Sequence, residues 1–158
     1  MLITININDT PVKDLLARLS AQMNDMTPVM RNIGEIVRTS IERNFAEEGR
    51  PVKWQKSKRG GQTLSDTGRL RRSFTVQPSA KSVEVGTNVE YAPFLQEGTK
   101  PFLIMPKSKK ALFWKGAGHP VKKVNHPGLV ARPFVMVQDK DWDSIRNAIE
   151  KYLTAGTA

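Results

Sequence analysis

The chain has 158 residues, of which 39% are hydrophobic and 25% charged, and its formal net charge is +10. This length predicts one domain with a sizeable core, and this composition excludes a disordered chain. There is no cysteine and no run approaching 18 apolar residues, which argues against disulfides, thiolate metal sites and a membrane-spanning helix.

The N-terminal part predicts a strand and two helices. Residues 2–7 alternate in polarity with three isoleucines on one face, which is typical of a short strand. A helix should begin at Thr10, a candidate N-cap, because Pro11 suits the first helical position. Its apolar stripe consists of Val12, Leu15, Leu16, Leu19 and Met23. A longer amphipathic helix begins at Thr27-Pro28 and ends near Gly49. We expect both stripes to pack against a sheet or against each other.

Residues 49–63 read as a basic loop in which Trp54 is one of few apolar side chains. Such a tryptophan could stack on a nucleic-acid base. More often it attaches a long loop to the core, and we favour this interpretation. The segment has no phosphate-binding loop spacing.

A turn at residues 65–68 precedes a predicted β-hairpin. Gly68 is expected to adopt a positive φ angle, and a strand is expected to begin at Leu70, with Phe74 and Val76 on the same face. After a turn at residues 77–81, the apolar side chains alternate again at Val83, Val85 and Val89.

The C-terminal part predicts further short strands and a last helix. A helical turn over residues 91–99 is stopped by Gly98, and two strand segments, 102–105 and 111–114, flank a lysine-rich turn. Residues 116–127 read as loop, and residues 129–137 as an apolar, β-rich segment whose Pro133 indicates an edge or a bulge. Asp139 should cap the final helix, whose apolar face contains Trp142, Ile145, Ala148, Ile149, Tyr152 and Leu153.

This order of elements indicates the α+β class. We expect a mainly antiparallel sheet on which the two N-terminal helices and the C-terminal helix pack. No internal repeat or linker divides the chain, so residues 1–158 are expected to form one domain with basic, flexible loops near 49–63 and 106–127.

The positive charge is concentrated in two segments. Residues 50–72 contain eight basic residues against one acid, and residues 100–132 contain eight basic residues and no acid. This clustering suggests a polyanion or an acidic protein as partner, and solvated loops rich in lysine are the alternative. The candidate contact residues are Lys56, Lys58, Arg59, Lys107, Lys109, Lys110, Lys115, Lys122 and Lys123.

The sequence offers little for catalysis. His119 and His126 supply two nitrogen ligands, which do not make a metal site. A nuclease would need carboxylates gathered around divalent cations, yet the two basic segments contain only Asp66. There is no Gly-x-Ser-x-Gly elbow. We therefore expect no enzymatic activity, no metal and no cofactor.

Four segments in a fixed order carry a family resemblance. They are the Trp54 segment after a long amphipathic helix, the turn and strand of residues 64–74, residues 85–99, and residues 131–134 before the last helix. With these motifs the chain resembles the virion morphogenesis family of tailed bacteriophages, the Mu-like tail-completion or head–tail joining proteins. The motif residues are Trp54, Thr67, Gly68, Leu70, Ser73, Tyr91, Gly98, Arg132, Pro133 and Phe134.

The resemblance implies a non-enzymatic assembly protein of the virion, made in the bacterial cytoplasm, that completes the tail or joins it to the head. Family members are expected to form rings around the DNA passage. The implied partners are other tail and head–tail connector proteins, further copies of the chain and, without sequence preference, double-stranded DNA; no membrane is implied. The alternatives are a nonspecific DNA-binding protein that acts alone, and a small hydrolase or toxin whose basic loops contact RNA.

Overall fold

The computed structural model describes residues 9–57, 60–114 and 116–155, and within them the chain forms four helices and four short strands. The α+β class is confirmed. The strand predicted for residues 2–7 and the candidate contacts Lys58, Arg59 and Lys115 lie outside the described residues. In chain order the elements are α1 (Thr10–Asn24), α2 (Thr27–Ala46), β1 (Thr75–Pro78), β2 (Val83–Gly86), α3 (Ala92–Glu97), β3 (Phe102–Ile104), β4 (Val124–His126) and α4 (Asp139–Thr154).

The strands pair as two antiparallel hairpins. β1 pairs with β2 from Thr75↔Gly86 to Pro78↔Val83, which confirms the hairpin predicted there. β3 pairs with β4 from Phe102↔His126 to Ile104↔Val124. Among the described residues the sheet is therefore smaller than expected, since the two pairs are not joined.

Helix α2 is the centre of the fold, because β1, β2 and α4 all pack against it. A glycine makes the close approach of the hairpin feasible. A Cβ atom on Gly34 would lie 2.2 Å from Val76 Cγ1 and 2.8 Å from Val83 Cγ2. Only a residue without a side chain fits at this point of the helix.

The core has two hydrophobic clusters. The larger one surrounds Phe45, whose ring centroid lies 5.3 Å from that of Phe134 and 5.7 Å from that of Trp54. Its buried members are Ile41, Phe45, Trp54, Leu70, Phe74, Val89, Ala92 and Phe134. The smaller cluster joins α2 to α4 through Val29, Ile33 and Ile145. These two clusters hold the body together, since aromatic and branched side chains contribute most of the buried apolar area.

Helix α1 differs from what we expected. Its span agrees with the prediction, but none of its residues is buried and Leu16 is 60% exposed. Among the described residues, the apolar stripe of α1 therefore does not belong to the buried core. Thr10 is the first helical residue and not the N-cap, which is Asp9 and makes no side-chain capping bond.

Several strands begin or end at residues other than those predicted. Residues 69–72 form a turn and not the start of a strand, because Arg72 N–H donates to the Gly68 carbonyl at 3.1 Å. Residues 111–114 contribute only an isolated bridge, Leu112↔Val121. Conversely, β4 lies within residues 116–127, which we expected to be loop.

Residues 129–137 do not form the predicted strand, and side chains explain why. Asn44 donates from its amide to the carbonyls of Phe134 and Met136 at 2.8 and 3.0 Å. The side-chain oxygen of Gln96 accepts from Phe134 and Val135 N–H. These backbone groups are bonded to side chains and not to a neighbouring strand, which satisfies them equally well.

The final helix is confirmed, with its start shifted by one residue. Gln138, and not Asp139, is the N-cap, and its backbone N–H donates to the Asp141 carboxylate at 3.0 Å in a capping box. Ile145 is buried, whereas Trp142 at the edge of the stripe is 51% exposed. No helix of the described residues is long and apolar enough to cross a membrane.

Candidate functional site: a basic hairpin

The pairing of β3 with β4 continues on both sides of these strands, and we call residues 99–129 the basic hairpin. A bridge at Thr99↔Leu129 keeps the same register towards the body, and Leu112↔Val121 pairs the chain towards the tip. Between this last bridge and the Ile104↔Val124 pair, residues 105–111 on one side stand opposite only residues 122–123 on the other. The unequal lengths force residues 105–111 to loop out.

The looped segment and the two residues opposite it contain five of the nine candidate contact residues. Lys107, Lys109 and Lys110 lie in it, and Lys122 and Lys123 are the two residues opposite it; all five are exposed. The hairpin contains seven lysines and no acidic residue. The structure thus brings these five predicted residues to the same end of the hairpin.

Two glycines form the base of the basic hairpin. Gly98 and Gly128 both have positive φ angles, +77° and +88°. A Cβ atom on Gly128 would lie 2.2 Å from the Thr99 carbonyl oxygen, and one on Gly98 would lie 2.5 Å from that of Leu129. The base therefore depends on two backbone positions that exclude side chains. No other described helix or strand packs extensively against β3 or β4.

The 49–63 loop meets the hairpin at this base. Arg132 Nε donates to the Gln55 carbonyl at 3.1 Å, and Lys56 lines a surface cleft with Gly128 and Leu129. Lys56 is exposed. The structure therefore places the predicted contact Lys56 beside the hairpin, although the two segments are far apart in sequence.

The motif residues have structural roles. Trp54 is 7% exposed and its Nε1 donates to the Pro133 carbonyl at 3.1 Å, which confirms that this residue attaches the loop to the core. Leu70 and Phe134 belong to the same buried cluster as Trp54. Val89 and Ala92, from the segment 85–99, belong to this cluster too, so all four motif segments converge on one core.

The turn motif is also explained. Gly68 has a φ angle of +72°, as expected, and Thr67 Oγ1 accepts from Arg69 N–H. The Ser73 hydroxyl donates to the Leu70 carbonyl at 2.7 Å and lies within hydrogen-bond distance of the Thr87 hydroxyl. This last contact ties the turn to the segment after β2.

A buried polar network was missed by the sequence analysis. Ser40 and Asn44 are fully buried on α2. Arg50 donates to the Asn44 side chain at 2.8 Å and to the Ser40 hydroxyl at 3.0 Å. Ser40 in turn donates to the Asp141 carboxylate. The signal was present, because Ser40 and Asn44 are polar residues four apart on the apolar side of a helix.

Asp141 is held in its charged form by this network. Burial alone would raise the pKa of Asp141, but the hydrogen bonds from Ser40 and from the Gln138 backbone N–H, together with the charge of Arg50, lower that pKa below its ordinary value. Ser40, Asn44 and Asp141 are buried and Arg50 is half-buried, so this network links α2 to α4.

The two histidines do not come together with acids. His126 stacks on Phe102, with ring centroids 4.8 Å apart, and its Nδ1 accepts from Gly128 N–H at 3.0 Å. His119 is exposed near the hairpin tip. In residues 9–57, 60–114 and 116–155 no group of three or more histidine, aspartate or glutamate side chains could hold a metal ion.

Comparisons with known proteins agree with the resemblance read from the sequence. A model of the phage virion morphogenesis family matches residues 7–154. The chain is 32% identical over 153 residues to the Mu-like prophage FluMu G protein 2 of Haemophilus influenzae, with 96% of each chain covered. No solved structure matches the chain. The protein therefore belongs to the phage virion morphogenesis family.

Proposed function

We propose that the protein is a non-enzymatic virion subunit that completes the phage tail or joins it to the filled head, as part of a ring around the DNA passage. The observation that carries this proposal is the basic hairpin, which presents exposed lysines away from the core and contains no acid. The family membership supports a role in virion morphogenesis.

A ring would multiply the effect of the hairpin. In a closed ring each subunit presents the same surface to the lumen, so a modest charge per subunit becomes a continuous positive lining. Lysines attract DNA by neutralising phosphates and releasing counterions, without reading the sequence. Such a surface suits a passage through which any viral sequence must move.

The proposed partners follow from this position. They are copies of the same chain, the neighbouring tail and head–tail connector proteins, and double-stranded DNA, which is contacted without sequence preference. The proposed location is the tail or the head–tail interface of the virion, after synthesis in the host cytoplasm. The proposed role requires the protein to bind these partners and to catalyse no reaction.

The salt dependence of DNA binding tests the role of the hairpin. If about four lysines per subunit contact phosphates, the slope of log K against log salt should be about −3.6 per subunit, from 0.9 per contact. Replacing Lys107, Lys109 and Lys110 by alanine should reduce the magnitude of this slope by about 2.7. The matched control replaces Lys81, Lys140 and Lys151 by alanine. These lysines are exposed and lie outside the hairpin, and their replacement removes the same net charge.

An assembly assay tests the function itself. The triple hairpin variant should fold normally but fail to complete particles when it replaces the wild-type protein in a phage lacking its own copy, leaving separate heads and tails. The control variant should complete them. Normal particle completion by the hairpin variant would show that these lysines are only solvated. Two other results would contradict the ring proposal. One is DNA binding that does not change with salt concentration. The other is DNA binding by isolated monomers that has no effect on particle completion.

A further inference from the structure

A cleft of about 500 Å³ lies between the 49–63 loop and the base of the basic hairpin, and we call it the basal cleft. Three separate segments line it, namely the loop, β4 with the residues after it, and the segment before α4. None of the described residues that line it is acidic. Its side chains that can donate hydrogen bonds to an anion include Lys56, Ser57, His126 and Arg132. The cleft therefore has the composition of an anion-binding site.

The guanidinium of Arg132 is held in place before any ligand binds. The backbone N–H of Arg132 donates to the Leu95 carbonyl at 2.8 Å, and its Nε donates to the Gln55 carbonyl at 3.1 Å. Among the described residues, the two terminal nitrogens of Arg132 form no hydrogen bond or ion pair. Such a guanidinium can bind a phosphate through two parallel hydrogen bonds, and little side-chain freedom is lost because its orientation is already fixed.

The ring of His126 is fixed in a similar way. It stacks on Phe102 with ring centroids 4.8 Å apart, and its Nδ1 accepts from Gly128 N–H at 3.0 Å. Because Nδ1 is the acceptor, the neutral ring carries its proton on Nε2, which can then donate to a ligand. Lys56 adds an exposed ammonium and Ser57 a half-buried hydroxyl. The fold thus gathers donors from distant parts of the sequence at one cleft.

We infer that the basal cleft binds a phosphate group of the DNA backbone, which Arg132 holds through its guanidinium and Lys56 through its ammonium. Arg132, a residue of the family motif, thereby has a role beyond attaching the loop to the hairpin. The inference deepens the proposed function and rests on it, because it adds a fixed DNA contact to the lysines at the other end of the hairpin.

DNA fits this arrangement better than a single acidic side chain does. The hairpin contains no acidic residue between the basal cleft and its lysines. From Thr99 to Ile104 the strand spans five residue steps, which is about 17 Å at 3.4 Å per residue. A duplex carries a phosphate about every 3.4 Å along each strand, so one DNA molecule can contact both ends of the hairpin. A single carboxylate would occupy only one end.

Substitutions in the basal cleft test the inference through the affinity for a short DNA duplex. Arg132→Lys keeps the charge but removes the paired donors of the guanidinium, and Lys56→Gln removes the ammonium. Each should weaken binding by about three- to ten-fold, which is the effect of losing one hydrogen bond at an accessible site. Replacing both residues by glutamine removes one phosphate contact and should reduce the magnitude of the salt slope by about 0.9.

Lys53→Gln is the matched control for Lys56→Gln. Both lysines are exposed on the same loop, and the charge of each lowers the pKa of Glu48, after the larger effect of the hydrogen bond from the Thr63 backbone N–H. Lys53, however, donates to the Glu47 carbonyl at 2.5 Å and does not line the basal cleft. Its replacement should leave the affinity for the duplex within about two-fold of wild type.

NMR titration of the wild-type protein separates phosphate binding from a structural role of Arg132. The side-chain Nε–H signal of Arg132 is assigned from its absence in Arg132→Lys. At equal ionic strength this signal should shift further with the duplex than with chloride, polyglutamate or inorganic phosphate. An arginine that only attaches the loop to the hairpin would give no such response.

Three results would overturn the inference. One is that the cleft variants bind the duplex as tightly as the Lys53→Gln control. Another is that the Arg132 signal responds to the duplex no more than to chloride. The third is an equal response to polyglutamate or to inorganic phosphate, which would indicate an acidic protein or a free ion as the ligand.

Two further comparisons keep these outcomes distinct. If Arg132→Lys lowers the unfolding midpoint, Lys56→Gln and the titration of the wild-type protein still decide the question, since neither alters Arg132. If the cleft variants bind DNA normally while the variant lacking Lys107, Lys109 and Lys110 fails to complete particles, the proposed function stands and only the assignment of the basal cleft is wrong.

Discussion

Trp54 Nε1 donates a hydrogen bond to the carbonyl oxygen of Pro133, 79 residues later, at 3.1 Å. The contact joins the loop after α2 to the segment before α4. The carbonyls of Phe134 and Met136 on the same segment accept from Asn44. The segment 129–137 is thus held in place by side-chain donors of α2 and of the loop that follows it.

Trp54→Phe should destabilise the protein by about 1–2 kcal/mol, because it removes this donor and leaves a carbonyl unsatisfied. Trp54→Ala should cost about 3–5 kcal/mol, because it also opens a cavity in the main cluster. Urea unfolding measures both values. Trp142→Phe is the matched control and should change the free energy of unfolding little, since Trp142 is half exposed.

Asp141→Asn should lower the free energy of unfolding at neutral pH by about 1.5–3 kcal/mol, because a buried carboxylate loses its charge-assisted hydrogen bonds. Since the pKa of Asp141 is lower in the folded state than its ordinary value of 3.8, its contribution is fully present above that value. The contribution is lost as the pH falls through the folded pKa. The difference between the two proteins should therefore shrink in acid.

Asp143→Asn provides the control for this pH experiment. Asp143 lies two residues further along α4 and forms an exposed ion pair with Arg146. Its replacement should change the stability by less than about 0.5 kcal/mol. A constant difference between wild type and Asp141→Asn from neutral pH into acid would show that the charge of Asp141 does not contribute.

Gly128→Ala and Gly98→Ala should open the basic hairpin locally. Each substitution places a Cβ atom against a backbone carbonyl and also strains a positive φ angle. Hydrogen exchange of the amides in β3 and β4 should become at least about ten-fold faster, which corresponds to about 1.4 kcal/mol of lost protection. Gly118→Ala is the control, because its Cβ would meet nothing within 4 Å. Equal exchange rates in all three variants would show that Gly98 and Gly128 are not required to keep the hairpin closed.

Gly68→Ala should cost on the order of 1 kcal/mol, since alanine tolerates a φ angle of +72° poorly. The added methyl group would approach only the Arg72 guanidinium, which can move, so the penalty comes from the backbone. Gly68→Asn should cost less, because asparagine adopts this conformation more readily. Gly86→Ala should be neutral or slightly stabilising, and thermal unfolding distinguishes the three.

The elements with long, regular patterns could be predicted from the sequence. α2 and α4 were found with nearly correct ends because their apolar residues repeat over several turns. The β1–β2 hairpin was found from its alternation and its turn. Gly68 and Trp54 also have the conformation and the contacts that their residue types suggested.

The errors share a physical cause, which is that long-range partners override local pattern. Residues 129–137 have strand-like composition, but Asn44 and Gln96 satisfy their backbone groups. β4 was missed because its strand partner is 20 or more residues away across a lysine-rich loop. The network of Ser40, Asn44, Arg50 and Asp141 joins residues 101 positions apart, and no local rule reports such a contact.

The unequal lengths within the basic hairpin also bear on how members of this family can diverge. Residues 105–111 loop out beyond the Ile104↔Val124 pair and do not alter the register at Thr99↔Leu129. Insertions or deletions there cost little, since the entropy of closing a loop grows slowly with its length. Selection can therefore adjust the attraction of this surface for anions while the folding of the body stays the same.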